Sequence, residues 1–442
     1  MEIKKCKNCQ QTFEITNQDF AFYKKMDVPP PTLCPDCREQ RRLSFRNEHH
    51  LYRRTCDFCK KEIIAIYKPN TKFPVYCGTC FWSKKWNPLS YSHDFDFKKT
   101  FFEQFHKLLL KIPRLAIINR NSTNSEYTNI CEHNKNCYLL IESSDNEDCL
   151  YSYWIQKSKD CVDCSFVDNS TLCFECDNCE NCYNLDYSQN CKDCHDSKLL
   201  KNCTGCSNCI ACTNLVQKSY HILNKKCSKE EFEETSKNLK ESSPNSHDQN
   251  DKYLEKFQSR FQDLDLYSSQ KFAQIMKSEN CTGDYIVNSK NCSNCFHAQD
   301  AEECRYAYHV WRNSKYVMDS DTVGMNSELA YECINTAINS YNNRFCNRCW
   351  TVSDSYYSNE CDNSSNLFGC IGLNRYKYCI LNKQYSKEEY EKLLPKIIDH
   401  MEQTKEYGEF FPMELSPFKY EETIANDYYP TMQRQISFPY YS

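Results

Sequence analysis

Residues 173–182 read CFECDNCENC, with a cysteine at every third position. Helices repeat every 3.6 residues and strands every 2, so a period of three fits neither. Two readings compete. Either the thiolates are grouped for a soft metal, or the chain turns one residue in three toward a dry interior. What else occupies the same phase decides between them. Sixteen cysteines lie from Cys131 to Cys227, and all fall in one class modulo three. Where that class lacks cysteine it holds mostly small or apolar residues, among them Leu140, Ser143, Ile155, Val167 and Leu185. These offer no soft ligand, so a metal cluster would not accept them. A packed interior would.

Ten further cysteines lie from Cys281 to Cys379; eight share one phase, and Cys281 and Cys333 do not. The two regions are copies of each other. YHILNKKCSKEEFEE (220–234) recurs as YCILNKQYSKEEYEK (378–392), Cys149 matches Cys304, and Cys191 matches Cys349. A unit of about 110 residues therefore occurs twice. Each copy closes on a capping box, Ser228 with Glu231 and Ser386 with Glu389. The expected architecture is a duplicated, cysteine-rich, short-turn β-solenoid with capping helices, in which stacked coils bury the ladder. Asn, Asp and Lys before the cysteines suit its corners. The spacing resembles that of the small-turn β-solenoids of some insect antifreeze proteins, where Cys, Ser and Ala point inward at every third position. The threonine rows of those proteins are absent here. The length of one coil stays open. So does the state of the interior thiols: buried small side chains, further zinc sites formed across coils, or disulfide rungs.

The remaining eight cysteines form four CxxC pairs near the N-terminus: Cys6 and Cys9, Cys34 and Cys37, Cys56 and Cys59, Cys77 and Cys80. A CxxC turn offers two thiolates to one ion, and two turns complete the tetrahedral set that zinc favours. Sequential pairing predicts two structural zinc ions; an interleaved cross-brace is the alternative. Four cysteines leave no open coordination position for catalysis. CKNCQQTFEITNQDFAFYKKMDVPPPTLCPDCR (6–38) resembles a treble-clef zinc domain, and CDFCKKEIIAIYKPNTKFPVYCGTC (56–80) a short zinc ribbon. Such tandem copies are similar to those of large cysteine-rich proteins from small-genome bacteria. That resemblance implies structural zinc at the same eight cysteines and no assigned reaction.

After CPDC, Arg38, Arg42 and Arg46 recur every four residues and would share one helix face, with Arg41, Arg53 and Arg54 nearby. Residues 1–80 hold 15 Lys/Arg against 9 Asp/Glu. Two zinc–thiolate centres would remove most of that excess. The stripe is read either as phosphate contacts to RNA or DNA, or as arginines paired with an acidic neighbouring domain. The whole chain, with net charge -5, is no polycation.

The expected organisation is a treble-clef-like module (1–55), a zinc ribbon (56–82), an aromatic and helical connector (83–118) and a first solenoid unit (119–228). A helix–linker–helix insert (229–270), a second solenoid unit (271–386) and a C-terminal helix and tail (387–442) follow. No apolar run has the length of a membrane span, and MEIKKCKNCQ has no signal-peptide core, which points to a soluble, cytoplasmic protein with reduced thiols. No nucleotide loop, esterase elbow or HExxH occurs, and no catalytic residue is nominated. The leading functional expectation is a non-catalytic zinc-binding scaffold that engages a macromolecular partner, with nucleic acid possible. A thiol-rich metal store is the alternative. A β-helix enzyme using Glu142, Asp145, Glu147 and Asp148 ranks below both. Exposed Tyr151, Tyr153, Tyr306 and Tyr308 either stack on bases or sugars or brace neighbouring coils. His93, Asp94 and Asp96 fit packing and turn roles better than ligand roles.

Overall fold

The computed structural model describes residues 1–241, 251–324, 327–337 and 340–430. The chain divides into two compact units, Met1–Ala116 with Phe272–Ser442, and Ile117–Lys271. Each contains one solenoid.

In both, coils stack as parallel ladders. Cys179 pairs with Cys191 and Val167 with Cys179, and backbone N–H groups reach side chains 12 residues away on the next coil. One residue in three is buried, so a twelve-residue coil has four short sides and a core four side chains wide. The cysteines from Cys131 to Cys212 fill that core together with Leu140, Ile155, Val167, Leu185 and Leu200. Cys227, which shares their phase, departs from the expectation. It lies beyond the closing hairpin and packs on the outside, beside Phe232 and Tyr220.

The corners explain the residues that precede the cysteines. Asn136, Asp148, Asp160 and Asn181 have φ of 54°, 55°, 52° and 55°. Asn and Asp tolerate this left-handed region better than other non-glycine residues. The inward residue then uses its own donor. Cys149 Sγ lies 3.3 Å from the Glu147 carbonyl oxygen and 3.5 Å from that of Ser158. Ser152 Oγ donates to the Leu150 carbonyl at 2.8 Å and accepts from the Cys164 N–H at 3.0 Å. Serine and cysteine alternate in the core because both are small and both satisfy a backbone carbonyl.

The solenoid of the second copy also explains its two cysteines out of phase. Its coils have twelve residues at Ser293↔Arg305 and again at Tyr341↔Ser353. Between them three successive coils have thirteen, at Arg305↔Met318, Lys315↔Glu328 and Glu328↔Tyr341. Each added residue shifts the phase by one, and three restore it. Cys333 falls inside this stretch and is buried in the core like the others. A shorter coil at Glu279↔Lys290 similarly displaces Cys281.

In chain order the described helices are α1 (Asn17–Met26), α2 (Pro35–Leu43), α3 (Gly78–Phe81), α4 (Phe101–Lys111), α5 (Lys229–Glu241), α6 (Asp251–Leu266), α7 (Lys387–Gln403) and α8 (Ile424–Tyr428). α5 and α6 pack against Leu199, Ile210 and Ala211 on the flank of the first solenoid. Most of the expected linker between them, residues 242–250, lies outside the described residues. α5 begins as expected, with the Glu231 N–H donating to Ser228 Oγ at 3.1 Å, and α7 begins with the full Ser386–Glu389 box.

The outer face of the second solenoid carries an aromatic ladder, Tyr331–Phe345–Tyr357, with ring centroids 5.2 and 4.8 Å apart. α1, α4, α7 and the segment around Phe410 and Phe411 cover it. Residues 410–415 thus lie along this core, while Ile424 and Ala425 pack on Leu43 of α2. Among the described residues no helix is long and apolar enough to cross a membrane.

Gly369 occupies a left-handed corner at φ 63°, and a Cβ there would come within 2.7 Å of the Phe101 ring. Gly205, at the same φ, would meet only the flexible Gln217 side chain at 3.3 Å. Both Gly→Ala changes should cost about 1 kcal/mol for the corner. Gly369→Ala should cost about 1–3 kcal/mol more, as overpacking. Urea unfolding of the two variants checks the difference.

Candidate metal centres and the arginine stripe

The N-terminal segment builds the same local structure twice. Strands β1 (Glu2–Lys5) and β2 (Thr12–Ile15) form a hairpin whose turn holds Cys6 and Cys9. Cys34 is the N-cap of α2, and Cys37 lies in its first turn. Strands β3 (Tyr52–Thr55) and β4 (Glu62–Ala65) hold Cys56 and Cys59 in the same way, with Cys77 the N-cap of α3 and Cys80 within it. In both turns the residue after the second cysteine is left-handed, Gln10 and Lys60 at φ 63°. In both, the N–H of the third cysteine points to the first thiol, Cys34 to Cys6 and Cys77 to Cys56, each at 3.3 Å.

The four Sγ atoms of Cys6, Cys9, Cys34 and Cys37 lie within 4.8 Å of one another, and so do those of Cys56, Cys59, Cys77 and Cys80. Pairing is therefore sequential, not cross-braced. Cys9 and Cys34 sulfurs are 3.7 Å apart, and those of Cys59 and Cys77 are 3.9 Å apart. A tetrahedral ion with bonds of about 2.3 Å to sulfur requires edges of about 3.8 Å, so both sets fit one. Burial raises Cys9, Cys77 and Cys80, the last to about 12, whereas at Cys56 the N–H groups of Cys59, Cys77 and Phe58 outweigh burial and bring its thiol down to about 7. Among the described residues no other group of three or more such side chains converges this closely.

The solenoid thiols are of a different kind. All 34 cysteines are free, so no disulfide rung is present. Burial pushes the Cys131 and Cys379 thiols up to about 12, whereas hydrogen bonds from neighbouring thiols hold Cys191, Cys206 and Cys292 below the usual thiol range. CFECDNCENC is therefore a run of inward steps, each thiol closed onto a carbonyl.

The arginine stripe does not face solvent. Arg38 pairs with Asp319 at 2.9 Å, Arg42 with Asp321 at 2.9 Å, and Arg41 with Glu332 and Glu409 at 2.7 Å each. Arg46 pairs with Glu48. All four arginine side chains are at most 9% exposed. The expected phosphate-contacting face is thus a buried ion-pair seam between α2, the second solenoid and the segment carrying Glu409. Arg54 pairs with Asp57, and Arg53 is exposed on β3. The carboxylate partners were the residues that sequence reasoning passed over. YVMDSDTVG (316–324) sets two acids within an apolar run, a costly arrangement unless cations meet them.

The other candidates resolve similarly. Asp94 pairs with Lys383, and Asp96 accepts from the Lys98 N–H, so neither converges with His93 on an ion. Glu147 bridges Lys135 and Lys159, and Asp148 accepts from Asn136, as rungs of surface ladders rather than an acid/base pair. Tyr151 is 51% exposed but contacts the ring of Tyr138 on the next coil, Tyr153 contacts Phe166, and Tyr306 lies under Arg38. Ring contacts between coils favour bracing.

No known family model matches the chain, and neither does any curated protein.

Removing one partner from a buried ion pair leaves the other charge stranded, at a cost of about 3–5 kcal/mol. Arg41→Ala should therefore lower stability by that amount, while Arg53→Ala, at an exposed position, should change it by no more than about 1 kcal/mol. Chemical denaturation of both checks the seam. Alkylation supplies a second check. Thiols within 173–182 should label only on global unfolding, and labelling at the rate of an open thiol would contradict the closed core.

Proposed function

We propose that this protein is a non-catalytic, zinc-bound scaffold that engages a macromolecular partner. One observation carries the reading. α2 supplies half of the first four-thiolate set and commits three arginines to buried carboxylates of the solenoid. An ion held there fixes the position of a helix and presents no open coordination site to a substrate. Zinc is the ion of choice for such a set, and it contributes folding energy to segments too short for a core of their own. The solenoids then supply long, repetitive outer faces, the usual recognition surface of such arrays. Reduced thiols throughout accord with a cytoplasmic setting, and the likeness to cysteine-rich proteins of small-genome bacteria belongs to the same reading.

Nucleic acid is disfavoured as the partner, because of the six nominated arginines only Arg53 and Arg54 lie outside the buried seam.

Elemental analysis of the intact protein, purified under reducing conditions, should give two zinc ions per chain, and Cys6→Ser should reduce that to about one. A content well above two in the wild type would favour the metal store, and iron in place of zinc would overturn the assignment. Binding of labelled RNA or duplex DNA should be weak; tight binding that falls steeply with salt would reinstate the polyanion reading.

A further inference from the structure

α2 and the adjoining coils of the second solenoid enclose a cleft of about 330 Å³. Asp36, Glu39 and Asp321 line it with carboxylates, and Phe296, Tyr306 and Tyr308 line it with rings. Arg42 also lines the cleft, but its charge is already engaged by Asp321 at 2.9 Å and Asp319 at 3.8 Å. Among the described residues neither Asp36 nor Glu39 forms an ion pair; Glu39 accepts only from the Tyr429 hydroxyl at 2.7 Å.

We propose that this cleft binds a lysine or arginine side chain presented by a peptide segment of a partner protein. Three features select that ligand. Two carboxylates without a cation of their own set a negative potential, and aromatic faces beside them add cation–π attraction. Phe296 is 45% exposed, so its ring is accessible without rearrangement. Arg42, with a side chain only 3% exposed, has a buried Nη1 without a hydrogen bond, a donor that a carbonyl oxygen arriving with the ligand reaches once the side chains of the wall shift. A peptide brings both the cation and the carbonyl, whereas a free polyamine brings only the first. The guanidinium in the wall opposes a bare metal ion, and the carboxylates oppose a nucleic-acid backbone.

The inference deepens the partner reading above and is separable from it. The intact protein is titrated with capped Gly-Lys-Gly, Gly-Arg-Gly and Gly-Glu-Gly peptides and with spermine, by calorimetry or ligand-observed NMR. The lysine or the arginine peptide should bind and the glutamate peptide should not. Asp36→Asn and Phe296→Ala, both at exposed positions, should each weaken binding about tenfold while melting like the wild type. The proposal is overturned if neither cationic peptide binds at millimolar concentration, if both variants bind as the wild type does, or if spermine binds as tightly as the peptides. A failed titration of protein that carries two zinc ions would remove the cleft and leave the scaffold standing.

Discussion

Both solenoids depend on one repeated constraint. Every three residues the backbone turns through a left-handed corner, and the next side chain points into a core four side chains wide. Such corners cost about 1–2 kcal/mol for ordinary residues, which is why Asn and Asp crowd them. The core admits only side chains that are small or singly branched. It also accommodates a donor, because a carbonyl has two lone pairs: the Glu147 carbonyl accepts from the Asp160 N–H and is also approached by Cys149 Sγ. Cysteine satisfies both demands: it buries readily and closes onto a carbonyl. The high cysteine content is thus chiefly a packing solution, and only the eight N-terminal thiols have ligand geometry.

A second constraint acts on the outer face of the second solenoid. Its three thirteen-residue coils carry Asp319, Asp321 and Glu332, and α2 meets them with Arg38, Arg42 and Arg41. Buried pairs of this kind gain little net stability against an apolar seam, yet they penalise any other docking because each stranded charge is expensive. The seam therefore fixes where the metal-binding helix sits. The aromatic ladder beneath α4 and α7 supplies the non-specific attraction, and Gly369 is left without a side chain so that Phe101 can approach.

Much of this was legible in the residues. The phase of three, the duplication, the two serine N-caps, α4 and the two sequential four-cysteine sets all appear in the structure at the residues that announced them. Cys333 looked like an exception only because single-residue insertions shift phase without changing the fold. Cys227 looked regular because a count modulo three cannot tell that the last coil has closed. Of the two readings of the arginine stripe, the pairing with acidic residues of a neighbouring domain is the one the structure shows, on a helix that ends before Arg46. The partners of Arg38, Arg41 and Arg42 lie some 280 to 370 positions away in the chain.

The sequence by itself determined what depends on near neighbours: the CxxC turns, the helix caps, the corner residues and the inward phase. Each is set by the local backbone and by a side chain within a few positions. Only the tertiary structure decided coil length, the burial of the arginines and the cleft beside α2. These depend on which distant surfaces meet, and an arginine that will face water has the same local sequence as one that will face a buried carboxylate.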